Sequence, residues 1–279
     1  MRLGRIEIRY FIALFLLRIC FMGYPALDLT SKTAVVVGGT SGIGLSLAEG
    51  LAQAGANVVA TGRRALLVQC ASEKITRLGR RSLSVTCDVT DRQSLEALER
   101  RVRDEFGHVD ILVNCAGTTR RIPSLDVTEA EWNRVMDINL NGTLRACQVF
   151  GRGMVERKYG RIINIASLAS FLAFHEVAAY AASKSAVAAL TKSLAVEWAS
   201  CGVCVNAIAP GVFQTDLNAG LLNGSKRSEE LLLRTPMRRF GRVEELVGAC
   251  VFLASDAASF VTGHVLSVDG GFLASGVNQ

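Results

Sequence analysis

From Lys32 onward the chain alternates short runs of β-branched and aliphatic residues with longer stretches of helical periodicity. No other feature narrows the fold as much, because strands that alternate with helices build βαβ units and a parallel sheet. The spacing predicts strands at TAVVV (33–37), NVVAT (57–61), SLSVT (82–86), VDILV (109–113), RIINI (161–165), VCVNAI (203–208) and HVLSV (264–268). Helices are predicted near 42–54, 65–78, 91–106, 129–158, 177–199 and 243–255, and Thr128 with Glu131 three residues on reads as a capping box. Right-handed crossovers turn this order into an α/β fold, a doubly wound Rossmann-type sheet of seven strands with helices on both faces. Ligands bind such a sheet at the carboxyl ends of its strands. Residues 212–239, after the sixth strand, are the one long irregular stretch, of the kind that covers a site.

Composition gives no reason for a second folding unit. Half of the 279 residues are hydrophobic and a fifth are charged. No Pro/Gly/Ser-rich linker or internal repeat divides them, so residues 27–279 are expected to form one domain. The formal charge is +6, but Arg2, Arg5, Arg9 and Arg18 against Glu7 put half of that excess in the first 21 residues. What is left is too mild for a nucleic-acid partner. Residues 1–26 read as an extension. Its apolar run, Tyr10 to Leu17, is shorter than the roughly 20 residues that span a bilayer, and no small-x-small cleavage site follows. A translational start at Met22 is the expectation, with a peripheral membrane anchor as the alternative. Eight cysteines scattered through predicted elements read as free thiols of a cytoplasmic protein, and CGVC at 201–204 as two buried thiols with no metal.

The first predicted strand runs into GGTSGIG (38–44) and then a helix. Gly38, Gly42 and Gly44 let the backbone turn sharply and approach a pyrophosphate, while Thr40, Ser41 and Ile43 lead into a helix whose free N–H groups face it. At the end of the second strand, TGRR puts Gly62 where a carboxylate would meet a free ribose 2′-OH, and Arg63 offers a fork suited to a 2′-phosphate. NADP is therefore favoured as cofactor, with NAD as the alternative. Asp88 and Val89 follow the third strand, where the aspartate can meet an adenine edge. Asn114, Ala116 and Gly117 of NCAG end the fourth and are small enough for a cofactor to pass. Tyr180 and Lys184, four residues apart, share one face of a predicted helix. An ammonium beside a phenol lowers a pKa that starts near ~10, which makes Tyr180 a candidate general acid/base. Ser167 ends the fifth strand, where its hydroxyl can meet the substrate oxygen.

Taken with INLNG (138–142), PGVFQT (210–215), VDGG (268–271) and the spacing of Ser167 thirteen residues before YAASK, these motifs resemble the short-chain dehydrogenase/reductase family over residues 27–279. The resemblance implies Tyr180 as proton donor or acceptor, Lys184 as the cofactor-ribose contact that tunes it, Ser167 as the group orienting carbonyl or hydroxyl, and Asn139 as the holder of a relay water. It also implies Thr215 on the nicotinamide carboxamide, Pro210 and Gly211 shaping the loop beside it, and a homotetramer. Two departures, Val37 for the usual Thr and Cys115 for the usual second Asn, weaken scaffold hydrogen bonds rather than the chemistry; Cys115 is expected to be a buried, inert thiol.

Within the family, segments such as TTRRIP and RTPMRRFGRVEEL are most similar to the branch of gluconate 5-dehydrogenases and deoxygluconate dehydrogenases. That implies hydride transfer on a sugar acid, and an anionic substrate needs a cation. Arg120 and Arg121 of TTRRIP are the candidates, and His175, between Ser167 and Tyr180, is a candidate hydrogen-bonding partner for a polyol. Reduction of 3-oxoacyl groups on a carrier protein is the competing activity, and a non-catalytic dinucleotide sensor the competing class.

Overall fold

Strands that are apolar on both faces can be covered only by helices on both sides, and this chain supplies them. The computed structural model describes residues 24–215 and 225–277. The apolar run at 10–17 and the expected start at Met22 lie outside the described residues. Six parallel strands, β1 (Thr33–Val37), β2 (Asn57–Thr61), β3 (Ile111–Asn114), β4 (Gly160–Ile165), β5 (Val203–Pro210) and β6 (Val265–Val268), lie in the order β2-β1-β3-β4-β5-β6. Alternate residues serve alternate layers: Ala34 and Val36 of β1 pack with α1 (Gly42–Gln53), and Val35 and Val37 face the opposite core. The order reverses beside β1, so the carboxyl ends of β1 and β3 frame the crevice of a doubly wound sheet. Among the described residues no helix is long and apolar enough to cross a membrane.

The seventh expected strand does not form. Residues 82–86 run beside β2, but the backbone bonds lie only at the two ends, Val58 N–H to Arg81 O (3.1 Å) and Cys87 N–H to Gly62 O (3.0 Å). Between them the Thr61 hydroxyl donates to Val85 O (2.6 Å) in place of a ladder bond. A side-chain hydroxyl has taken the acceptor that a seventh strand would have used.

The helix expected over 129–158 is three segments. α4 (Glu129–Met136) and α5 (Gly142–Arg157) are joined by a π-helical turn, Asp137–Asn141. Only half of the capping box forms, since the Thr128 hydroxyl accepts from Glu131 N–H (3.2 Å) while the Glu131 carboxylate turns to Arg134. The stretch expected to be irregular over 212–239 contains a helix, Lys226–Arg234, capped by Ser225. Three of the remaining helices are as expected to within a residue or two: α2 (Ala65–Arg77), α3 (Arg92–Phe106) and α6 (Ala178–Trp198). The unexpected helix Lys226–Arg234 is α7, and the helix expected from 243 begins as a 3-10 turn, Val243–Leu246, before α8 (Val247–Ala254). In CGVC only Cys204 is buried; Cys201 sits half-exposed at the turn into β5, and all seven described cysteines are free.

A polar ladder crosses the centre of this apolar sheet. Asn114 and Asn164 are register partners on β3 and β4. The Asn114 amide donates to Asn164 Oδ1 (2.9 Å) and to Cys147 Sγ (3.3 Å), and the Asn164 amide donates to the Thr191 hydroxyl of α6 (2.9 Å).

Candidate active site

Three loops and one helix meet at the carboxyl edge. β1 opens into the glycine loop, anchored by Gly38 and Gly39 N–H groups on Thr61 O (2.9 and 3.0 Å). Gly38 has φ +79°, and a Cβ there would lie 2.5 Å from Ala116 N, so the loops after β1 and β3 touch backbone to backbone. At Gly44 a Cβ would stand 2.0 Å from Gly38 O, which packs the first turn of α1 under the loop. Ser41 occupies the N-cap without a side-chain cap bond, leaving the N-terminal N–H groups of α1 for another acceptor. Thr215 lies against the loop, its methyl 3.5 Å from where a Gly42 Cβ would be. Gly211 donates to Val268 O (2.8 Å), which ties the loop after Pro210 to β6. Ile43 is half-buried and Thr40 is buried.

These residues fit a dinucleotide phosphate. The helix start is uncapped and the glycine cradle would be filled by any Cβ. Arg63 is exposed at the end of β2 with no ion pair among the described residues. At Gly62 a Cβ would fall 3.1 Å from the Thr40 hydroxyl, so a carboxylate side chain is crowded from this position. Asp88 accepts from the Thr90 amide (2.9 Å) and hydroxyl (2.8 Å). Burial raises its carboxyl, but these bonds and the Arg63 charge outweigh it and hold the group below its ordinary value. Beside it, Val89 O accepts from Arg145 (3.3 Å), which fixes the turn to α5.

The π-turn places Asn139 fully buried under the loop after β3. Asn139 Oδ1 accepts from Thr118 N–H (2.8 Å), and Nδ2 donates to Thr118 O (2.9 Å) and to Ser183 Oγ (2.9 Å). Ser183 in turn donates to Tyr180 O (2.7 Å). Asn139 O accepts from the Thr143 hydroxyl (2.8 Å). Ser183 was not among the predicted residues, although it lies between Tyr180 and Lys184 in YAASK. A Cβ at Gly117 would come within 3.4 Å of Asn139 Oδ1 and 3.6 Å of Lys184 Nζ, so this small residue opens the space beside both.

Tyr180 and Lys184 lie on one face of α6, as the spacing predicts, but their electrostatics differ from the expectation. Burial raises the Tyr180 phenol, and its hydrogen bond with the Ser167 side chain only partly offsets this. Lys184 Nζ is 5.9 Å from the ring centroid and donates to Ile165 O (2.6 Å). Burial lowers Lys184 to about 8. With its ammonium turned to the β4 carbonyl, the lysine does not stabilise the phenolate in this state. Ser167 also accepts from Ala169 N–H (3.1 Å), which holds it at the end of β4. Cys115 is half-exposed by area, with its thiol pushed up to about 11 by burial, so it stays protonated near neutral pH.

The two arginines after NCAG reach internal carboxylates. Arg120 pairs with Glu131 (3.6 Å), and Arg121 with Glu176, whose other oxygen lies 3.6 Å from His175 Nδ1. Ile122 N–H donates to Glu176 O (2.8 Å), so this pair clamps the loop after β3 to the segment between Ser167 and Tyr180. Glu176 holds φ +65°, a conformation that costs energy in a residue with a Cβ. The His175 side chain is exposed. His108 pairs with Asp110 (3.3 Å) on the far side of the sheet, and His264 is exposed. Among the described residues no His/Cys/Asp/Glu cluster could hold a metal.

The family described as enoyl-(acyl carrier protein) reductase matches residues 37–273. The chain is 43% identical to the 2-dehydro-3-deoxy-D-gluconate 5-dehydrogenase of Bacillus subtilis, over 90% of this chain and 99% of that one. It is 40% identical to the gluconate 5-dehydrogenase of Gluconobacter oxydans, over 91% and 100%. The crystal structure of a gluconate 5-dehydrogenase from Burkholderia cenocepacia in complex with NADP and tartrate superposes with a TM-score of 0.87 at 39% identity, covering 90% of this chain and 98% of that one. With its glycine loop, Ser167, Tyr180 and Lys184 gathered at one sheet edge, the chain belongs to the short-chain dehydrogenase/reductase family.

Proposed function

We propose that the protein is an NADP-dependent oxidoreductase that interconverts a secondary hydroxyl and a keto group on a sugar acid of the gluconate type. The observation that carries this reading is that Tyr180 and Lys184 share one face of α6, with Ser167 acting on the Tyr180 phenol and the Lys184 ammonium on Ile165 O, set against an uncapped helix start and the exposed Arg63. The similarity to enzymes named for gluconate and deoxygluconate supports the substrate class. The proposed assembly is a cytoplasmic homotetramer with residues 27–279 as the catalytic domain.

The N-terminal N–H groups of α1 receive the pyrophosphate, and Arg63 receives the 2′-phosphate. Nicotinamide, when bound, supplies or accepts the hydride. Tyr180 moves the hydroxyl proton. Its raised pKa keeps the phenol protonated near neutral pH, so it is ready to donate in the reductive direction. Ser167 presents a hydroxyl to the same substrate oxygen. Proton removal in the oxidative direction requires the Lys184 ammonium to turn from Ile165 O toward the phenol and ribose. Asn139 fixes the floor of the site through Thr118, and it is the residue to which the family resemblance assigns the relay water.

The test is a panel of gluconate, 5-ketogluconate, 2-dehydro-3-deoxygluconate, neutral polyols and a 3-oxoacyl thioester, assayed with both phosphorylated and unphosphorylated cofactors. Turnover of a sugar acid with NADP(H) ahead of NAD(H) is expected. Faster turnover of the thioester, or cofactor binding with no turnover of any substrate, would overturn the reading.

A further inference from the structure

The helix α7 brings a third guanidinium to the substrate side of the sheet. Arg227 lies in its first turn, half-buried, and its NH1 donates to His175 O (3.3 Å). Its guanidinium carbon is 6.0 Å from the Phe174 ring centroid. The same helix makes a second contact through Arg234, 5.1 Å from the ring of Phe272, and the Phe272 and Phe174 rings are themselves 6.3 Å apart. α7 is thus seated on residues 174–175, in the segment that joins Ser167 to Tyr180.

The charge accounting at this edge is uneven. Arg120 is matched by Glu131 and Arg121 by Glu176, each within the fold. Arg227 has no carboxylate partner among the described residues: Glu229 and Glu230 on its own helix make no ion pair with it, and Glu176 is held by Arg121 and His175. Its one polar contact is to a neutral carbonyl. A half-buried guanidinium with no carboxylate partner attracts an anion more strongly than an exposed or already paired arginine does.

We infer that Arg227, rather than Arg120 or Arg121, receives the carboxylate of the substrate. This rests on the sugar-acid reading above and names the residue that recognises the acid. With the carbinol carbon at Ser167 and Tyr180, the acid end of the chain extends past His175 to α7, where the planar fork can take both carboxylate oxygens. Arg121 and Glu176 then act as the clamp that holds the 174–176 segment in place. Arg227 is a specificity-determining residue, since it touches substrate remote from the reacting atoms.

The experiment uses the full chain saturated with NADP. Binding of gluconate and of tartrate is measured by calorimetry, and steady-state kinetics are run with gluconate and a neutral polyol, for the wild type, Arg227→Ala, Arg227→Lys and Arg121→Ala. Arg227→Ala is expected to weaken carboxylate binding and raise KM for the acid about 10- to 100-fold, with little change for the polyol and a smaller change in kcat. Arg227→Lys, which keeps the charge but not the fork, is expected to recover part of the loss. Arg121→Ala is expected to impair acid and polyol alike. Equal losses on both substrates in Arg227→Ala, an acid-selective loss in Arg121→Ala alone, or no carboxylate binding by the wild type would overturn the inference. Carboxylate binding by the wild type that depends on Arg227 without turnover would sink the sugar-acid oxidoreductase reading and leave the anion site standing.

Discussion

Replacing Lys184 with methionine should stabilise the cofactor-free protein, and the gain should disappear at high pH. Burial takes the Lys184 pKa from 10.5 to about 8. At about 1.36 kcal/mol per pH unit, that difference makes the charged lysine a burden of about 3 kcal/mol on the native state. The lowered native pKa means that between about 8 and 10.5 the unfolded chain binds more protons than the folded one, so stability from this group rises with pH across that window. Below it the burden is fully present. Methionine removes the charge but also the bond to Ile165 O, 2.6 Å long, whose carbonyl then loses a partner at a cost of about 1–3 kcal/mol. The net gain at pH 7 is therefore small, about 0–2 kcal/mol, and the sharper quantity is the pH dependence. Urea unfolding of both proteins from pH 7 to 10.5 should show the wild type gaining about 3 kcal/mol on the variant. Parallel stability curves would refute the argument that Lys184 carries an uncompensated charge while turned away from Tyr180.

Three further outcomes follow from the site. Arg63→Ala should raise KM for NADPH about 10- to 100-fold and leave NADH nearly unchanged, since only the phosphorylated cofactor gives the fork a charged partner; equal effects on both would remove Arg63 from the 2′-phosphate. Gly62→Asp alone should fail to turn preference to NADH, because its Cβ meets the Thr40 hydroxyl at 3.1 Å, whereas adding Thr40→Gly should raise kcat/KM for NADH. Asn139→Ala should destabilise the fold by about 2–4 kcal/mol in a denaturant titration by stranding Thr118 N and O and Ser183 Oγ; a change under 1 kcal/mol would show that water replaces the side chain at no cost.

The parts of the site that were legible in sequence are those built from local spacing. Tyr180 and Lys184 are bound to share a face by helix geometry, and the glycine loop is marked by the strand before it and the helix after it. What escaped were interactions set by partners distant in sequence. Arg121 and Glu176 are separated by 55 positions, and nothing local to TTRRIP says that its arginines are already matched. The SLSVT run has strand-like alternation, yet its pairing was lost to a hydroxyl on a neighbouring strand. Hydrophobic periodicity could not reveal the π-turn at Asp137–Asn141, because one widened turn leaves the apolar stripe nearly intact. α7 was missed because nine residues are few for a periodicity reading inside a long segment, although KRSEELLLR is amphipathic and Ser225 ahead of it was a usable cap signal.

The ladder from Asn114 through Asn164 to Thr191 has a consequence for folding uniqueness. Strands that are apolar on both faces contain little information about how far to slide along one another, since each shifted pairing buries similar groups. Two asparagines that must meet at one rung, with a hydroxyl waiting on α6, make the slipped alignments expensive because each would bury unpaired amides. The ladder acts as an address written into an otherwise repetitive text. It fixes where β3 ends relative to β4, and with that the separation between the loop that follows Asn114 and the serine that follows Ile165 and Ala166.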